Sequence, residues 1–105
     1  MAVKLSEREL KALIRELAVV ELTWTEIYLF GSTAKGHAGP DSDRDFCVVI
    51  PKQPHNMHQL DIKLNSALGL KGYNFDIIIT TAREFKQNKV SPILHEIRKT
   101  GVKVA

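Results

Sequence analysis

The sequence has little cysteine and no long apolar run, and both absences narrow the class of protein. It contains one cysteine in 105 residues, Cys47, which excludes a framework of intrachain disulfides. No apolar stretch approaches the ~20 residues that a helix needs to cross a bilayer. Near the N-terminus, charged residues such as Lys4 and Glu7 interrupt any secretory signal pattern. We therefore expect a cytoplasmic protein that does not enter a membrane.

The sequence also lacks a basic tract of the kind that dominates nucleic-acid binding. The net charge is +3, from 15 lysines and arginines against 12 acidic residues, and the basic residues are spread along the chain. Nucleic acid is therefore not the expected partner, although a mild positive balance would attract a polyphosphate. The length and the hydrophobic content of 44% are typical of one globular domain, which we expect to span residues 1–105.

Helix and strand patterns alternate along the chain, which favours an α/β fold with helices packed on a small sheet. Ser6 opens a capping box for the first helix, Asn56 is predicted to cap the second helix and Gly69 to end it. Thr81 and Ser91 are predicted to cap two further helices. The predicted helices cover residues 6–21, 56–69, 81–88 and 92–100, and the predicted strands cover 25–30, 44–50, 74–79 and 102–104.

The most informative pattern is Gly31-Ser32, followed after ten residues by Asp43-Arg44-Asp45. A glycine–serine turn offers backbone N–H groups and a hydroxyl, which suit phosphate oxygens. Asp43 and Asp45 are two apart, so in a strand they point to the same side, roughly 6–7 Å apart along the chain. Two neighbouring carboxylates repel each other unless a cation lies between them. The pattern therefore predicts a site for a metal ion and a phosphate.

A third acid, Asp76, stands near the start of another apolar strand. An unpaired buried charge costs several kcal/mol, so this carboxylate needs a partner or a metal ion. If its strand lies beside the strand of Asp43 and Asp45, three carboxylates converge. Such a group can hold two magnesium ions about 3.5–4 Å apart, as two-metal nucleotidyl transfer requires.

With these residues, the chain resembles the minimal nucleotidyltransferases of the DNA polymerase beta superfamily, whose signature is Gly-Ser, ten residues, then Asp-x-Asp. The resemblance implies a single-domain nucleotidyltransferase fold, with a small mixed sheet that carries helices on one side. It assigns phosphate contacts to Gly31 and Ser32, and magnesium binding to Asp43 and Asp45. Asp76 would complete the metal site or serve as the base.

The chain departs from this family at two positions of the turn, where many relatives carry arginine. Thr33 and Lys35 occupy these positions here. Threonine cannot make the bidentate phosphate contact of a guanidinium, which would weaken phosphate binding, whereas Lys35 would contact a phosphate as a point charge.

The resemblance further implies magnesium as the cofactor, ATP as the substrate and a small helical protein of the HEPN type as the partner. In such toxin–antitoxin pairs the transferase moves AMP onto a tyrosine of the HEPN toxin. Two alternatives stay open at this point. The domain would neutralise a toxin by binding alone, or it would modify a small molecule in the manner of antibiotic nucleotidyltransferases.

Overall fold

The computed structural model describes residues 7–31 and 43–105, which form four helices and four strands. No helix in these two segments is long and apolar enough to span a membrane. In chain order the elements are α1 (Glu7–Val19), β1 (Glu26–Phe30), β2 (Arg44–Ile50), α2 (Met57–Leu70), β3 (Phe75–Thr81), α3 (Ala82–Gln87), α4 (Pro92–Thr100) and β4 (Val102–Lys103).

The four strands form one mixed sheet in the order β3-β2-β1-β4. Strand β1 pairs antiparallel with both β2 and β4, whereas β2 and β3 are parallel. Parallel neighbours need a crossover connection, and α2 supplies it between β2 and β3. This arrangement confirms the predicted α/β fold with a small mixed sheet.

Helices cover both faces of this sheet, so the expectation of helices on one side is wrong. On the first face, α1 and α2 pack on strand residues such as Leu29 and Val48. On the second face, residues of α3 and α4 pack on the alternate strand residues, including Cys47 and Val49. The physical reason lies in β2, whose residues 46–50 are all buried, because a central strand with an unbroken apolar run needs cover on both sides.

Two of the predicted helix starts are confirmed by their hydrogen bonds. The Thr81 side chain accepts a hydrogen bond from the Glu84 backbone N–H at the start of α3, 3.1 Å away. Ser91 accepts in the same way from Leu94 at the start of α4, at 3.3 Å. Each cap satisfies one of the N–H groups that a helix leaves without an internal partner. The predicted cap at Ser6 lies outside the described residues.

Two predictions about α2 are wrong. Asn56 stands at the N-cap position, but its side chain makes no capping hydrogen bond. Gly69 lies inside the helix, and the termination occurs at Gly72, which has a φ of 87°. The Gly72 N–H donates to the Gly69 carbonyl and the Tyr73 N–H to the Leu68 carbonyl, both at 3.0 Å. This is a Schellman motif, which needs a left-handed residue just beyond the helix, and only the second glycine has that conformation.

Lys71, directly after α2, and Asn65 within it tie this helix to its neighbours. Lys71 donates to the carboxylate of Glu16, a residue of α1 that is almost fully buried. Asn65 accepts from the backbone N–H of Ile77 in the edge strand β3, at 3.2 Å, and donates to the side chain of Asp61 at 2.7 Å. These contacts fix α2 against both α1 and β3.

Candidate active site

Two of the three predicted acids lie side by side at one edge of the sheet. Asp45 and Asp76 are each the second residue of their strand, and they are register partners in the parallel β2–β3 pair. Partners in register point to the same face of a sheet, so both carboxylates project on the face that α3 and α4 cover. Asp45 is half-buried and Asp76 is exposed. The pairing of β2 with β3 therefore meets the condition under which we expected from the sequence that these two acids come together.

The third acid, Asp43, lies just before β2 and is exposed. Its charge nevertheless acts on Asp45. Burial raises the pKa of the Asp45 carboxyl, and the negative charges of Asp76, Asp43 and Glu96 raise it further, in that order. Without a bound cation, the folded protein therefore disfavours the ionised form of Asp45. A cation between these carboxylates would relieve the repulsion.

Glu96, in α4, is a member of this acidic group that the sequence did not reveal. It lies between Leu94 and Ile97, which pack on the second face of the sheet, so the docking of α4 carries Glu96 toward Asp45. An acid on an amphipathic helix is ordinary, and no motif or spacing sets this one apart. Only the tertiary position of α4 identifies it.

Gly31 brings the backbone of the turn against Asp45. It follows Phe30, the register partner of Asp45, and has a φ of 74°, a conformation that L side chains rarely adopt. A Cβ atom built on Gly31 would lie 3.2 Å from the carboxylate carbon of Asp45 and closer still to Oδ2. Both the backbone conformation and the lack of space therefore require glycine here, at the end of β1.

The two other predicted phosphate contacts, Ser32 and Lys35, lie outside the described residues. Their assignment stays a prediction from the sequence.

An ion pair on the first face of the sheet holds the start of β2, where Asp43 and Asp45 lie, against α1. Arg44 lies between Asp43 and Asp45, and its Nε is 3.1 Å from Oε2 of Glu9 in α1. Both side chains are mostly buried. Because neighbouring residues in a strand point to opposite faces, holding Arg44 on α1 directs Asp45 to the other side. Helix α1 thus positions an acid that it does not touch.

The carboxylates converge without enclosing a metal site by themselves. Within residues 7–31 and 43–105, no group of three or more histidine, cysteine or acidic side chains is arranged to hold a metal ion. The ligands near Asp45 are nonetheless all oxygen atoms, which suit magnesium. Magnesium commonly takes one or two protein carboxylates together with substrate phosphates, so this donor set fits a metal ion that is completed by a nucleotide.

Comparison with known families assigns the chain that carries this site to a family. The family model described as "Nucleotidyltransferase domain" matches residues 8–104 of the chain. The chain belongs to this family. The match runs through every described strand and includes Gly31 and all three predicted acids. It confirms the resemblance that the Gly-Ser and Asp-x-Asp residues indicated.

Several solved structures are similar in fold to this nucleotidyltransferase domain. A toxin–antitoxin with AMP-PNP is 25% identical, with a TM-score of 0.57 over 89% of this chain and 69% of that one. A mutant of the toxin–antitoxin MntA-HpeT is also 25% identical, with the same TM-score over 97% and 73% of the two chains. A putative nucleotidyltransferase from Sulfolobus solfataricus shares the fold at 21% identity, with a TM-score of 0.52 over 97% and 90%. No curated protein matches the chain.

Proposed function

We propose that this nucleotidyltransferase domain acts in the cytoplasm as an antitoxin that transfers AMP from ATP to a hydroxyl group of its toxin, and that it needs magnesium. The observation that carries the proposal is the register pairing of Asp45 with Asp76 at the edge where β1 ends in Gly31. The family match and the likeness to a toxin–antitoxin with AMP-PNP support the same reaction.

The acidic residues would divide the work by position. Asp43 and Asp45 would bind the metal ions that accompany the triphosphate, and Asp76 would complete the metal site and accept the proton of the acceptor hydroxyl. When bound, magnesium would neutralise the phosphate charge and stabilise the negative charge that develops during transfer. Burial and the charges of Asp76, Asp43 and Glu96 raise the pKa of Asp45, which supports cation binding here, because a divalent cation would stabilise its ionised form.

The turn after β1 would hold the triphosphate. The Gly31 backbone lies against the Asp45 carboxylate, so an oxygen bound by this turn would also be close to a metal ion on Asp45. Ser32 would donate its hydroxyl and Lys35 its charge to the phosphates. Together these groups would orient the leaving pyrophosphate.

The proposed acceptor is a tyrosine of a helical toxin of the HEPN type. Two similar solved structures are toxin–antitoxins, and the match to MntA-HpeT extends over nearly the whole chain, which supports a toxin as the partner. The tyrosine and the HEPN identity come from the resemblance that the sequence indicated.

Mass spectrometry of the partner tests the reaction. The domain is co-expressed with the product of its neighbouring reading frame, and the intact mass of the partner is measured. We expect the partner to gain the mass of AMP, and we expect Asp43→Asn with Asp45→Asn to abolish this gain. Asp61→Asn, on α2, removes one carboxylate outside the site and should leave labelling unchanged. Equal labelling by the double variant and the wild type would disprove the assigned roles.

A second candidate function is neutralisation of a toxin by binding alone. Thr33 favours it, because many relatives carry arginine at this position and threonine cannot make the bidentate phosphate contact of a guanidinium. Cell survival separates the two candidates. A binding antitoxin would still protect cells after Asp43→Asn with Asp45→Asn, provided that the variant still binds the toxin, whereas a catalytic antitoxin would not.

A further inference from the structure

A groove of about 500 Å³ lies along the outer side of α1, apart from the candidate active site. Its walls are formed by Glu7, Arg8, Lys11, Ala12 and Arg15 of α1, and by Tyr73 of the connection between α2 and β3. Helix α1 and Tyr73 both pack on the first face of the sheet, whereas Asp45 and Asp76 project on the second. The groove is of a size that binds small ligands or a short segment of a polymer.

Three basic side chains form a stripe along this groove. Arg8, Lys11 and Arg15 are three and four residues apart, so they lie on one side of α1, and the stripe extends about 10 Å along the helix axis. Lys11 Nζ is 3.2 Å from the Glu7 carboxylate, but both side chains are mostly exposed, so this pair is weak and a phosphate can replace it. Neither Arg8 nor Arg15 makes an ion pair with another described residue, and both are exposed. The groove therefore offers guanidinium groups to an anionic ligand.

Tyr73 adds an aromatic surface beside these cations. Its ring centroid lies 5.0 Å from that of Phe75, with 31° between the ring planes, and both residues pack against the core of the first face. The ring is thus held in place while it still contributes to the groove wall. An anionic polypeptide would use the arginines but would gain little from a fixed aromatic ring, whereas a nucleobase stacks on one.

We propose that this groove binds a short stretch of single-stranded nucleic acid, with phosphates on Arg8, Lys11 and Arg15 and a base stacked on Tyr73. A stripe of cations next to an aromatic platform is the arrangement by which proteins hold single strands without reading their sequence. The predicted helix over residues 6–21 already gives these three residues helical spacing, but only the structure shows Tyr73 in the same groove. The proposal uses none of the acids of the candidate active site, so it stands or fails independently of the proposed reaction.

Fluorescence anisotropy of a labelled oligouridine, measured between 50 and 200 mM salt, tests the phosphate contacts. Three contacts predict a slope of about −2 for the logarithm of the binding constant against that of the salt concentration, or about a twentyfold loss over this range. Arg8→Gln with Arg15→Gln should reduce the slope to about −0.7, because one contact remains. Both positions are exposed, so neither change should unfold the domain.

Replacing the ring tests the stacking. Tyr73→Leu should weaken binding about tenfold without changing the salt slope, and Tyr73→Phe should bind as the wild type does. Circular dichroism checks that each variant is folded. Should Tyr73→Leu unfold, the two arginine changes still decide the outcome, since they leave the core intact.

A matched control removes two other cations. Lys86→Gln with Lys89→Gln, in and just after α3 on the other side of the sheet, takes away the same charge and should leave the affinity within twofold. The proposal is overturned if the wild type does not bind, or if the arginine variant binds as tightly as the lysine variant. It is also overturned if polyglutamate competes equally and Tyr73→Leu has no effect, because the groove would then bind an acidic polypeptide.

Discussion

Asparagine at position 45 should make the isolated domain more stable while it abolishes the proposed nucleotidyl transfer. Burial raises the pKa of the Asp45 carboxyl and the neighbouring acids raise it further, so its ionised form is held against desolvation and repulsion in the folded state. Asparagine has nearly the same shape and no charge. Asp45→Asn therefore removes the repulsion with little change in packing.

The magnitude follows from the strand pairing. Adjacent strands lie about 4.8 Å apart, so we take about 5–6 Å between the carboxylates of the register partners Asp45 and Asp76. At this separation two charges repel by about 0.8 kcal/mol in water and by about 3 kcal/mol at an effective dielectric constant of about 20, and because Asp76 is exposed we take about 1 kcal/mol. In a domain of this size, a gain of about 1 kcal/mol in the free energy of unfolding raises Tm by about 4–8 °C.

The gain should depend on pH with a defined sign. Because the pKa of Asp45 is higher in the folded state than its usual value of 3.8, folding favours the protonated carboxyl. The protonated Asp45 therefore contributes to the stability of the wild type below pH 3.8, and this contribution is lost as the pH rises through the folded-state pKa. The variant should therefore exceed the wild type in stability at pH 7, and the difference should vanish as the pH falls toward 3.8.

Thermal unfolding at several pH values, with and without ATP and magnesium, is the assay. At a hundredfold excess over Kd, a bound ligand adds about 2.7 kcal/mol to the free energy of unfolding. Only the wild type should gain this amount, so the order of stability should reverse when both are added. Glu21→Gln, which removes one exposed carboxylate in the connection between α1 and β1, should change the free energy of unfolding by less than about 0.5 kcal/mol at every pH. An Asp45→Asn variant that is no more stable at pH 7, or whose gain ignores pH, would refute the electrostatic reasoning.

Three further predictions concern the fold around the site. Gly31→Ala should lower the free energy of unfolding by at least about 1 kcal/mol, because Gly31 has a positive φ and lies against the Asp45 carboxylate. Gly69→Ala should raise the free energy of unfolding by about 1 kcal/mol, because alanine favours the helix and a Cβ meets no atom there. Urea denaturation compares the two variants. Leu17→Ala should cost about 2–5 kcal/mol and Val19→Ala under about 0.5 kcal/mol, since Leu17 is fully buried and Val19 is 67% exposed; matched unfolding curves would contradict this packing. Burial raises the pKa of the Cys47 thiol to about 12, so at pH 8 it should react with iodoacetamide only after urea unfolds the domain, and rapid labelling of the native protein would show that the strand is accessible.

The sequence predicted those parts of the site that depend on one strand and its neighbours in the chain. The Gly-Ser and Asp-x-Asp spacing placed Gly31, Asp43 and Asp45 correctly at strand ends, and the apolar run after Asp76 correctly indicated a strand. The sequence pattern does not show that this strand lies beside β2. Only the structure gives the register that pairs Asp45 with Asp76. Periodicity identifies strands but does not give their order.

Features that depend on tertiary packing could not be read from the residues. Glu96 joins the acidic group only because α4 docks on the second face of the sheet. The choice between Gly69 and Gly72 as the end of α2 depends on a backbone angle, since both are glycines at plausible positions. The unbroken burial of β2, by contrast, did have a signal: its continuous apolar run is typical of a strand covered on both faces.

The amide of Asn65 protects the domain from pairing with other chains. Strand β3 lies at the border of the sheet, is seven residues long and contains three consecutive isoleucines, which would make it a template for aggregation. Asn65 already accepts from the backbone N–H of Ile77 and is itself held by Asp61. An incoming strand would have to displace the Asn65 amide from the Ile77 N–H before it could pair with β3 at this residue. A side chain of α2 thus helps to keep the molecule from polymerising through β3.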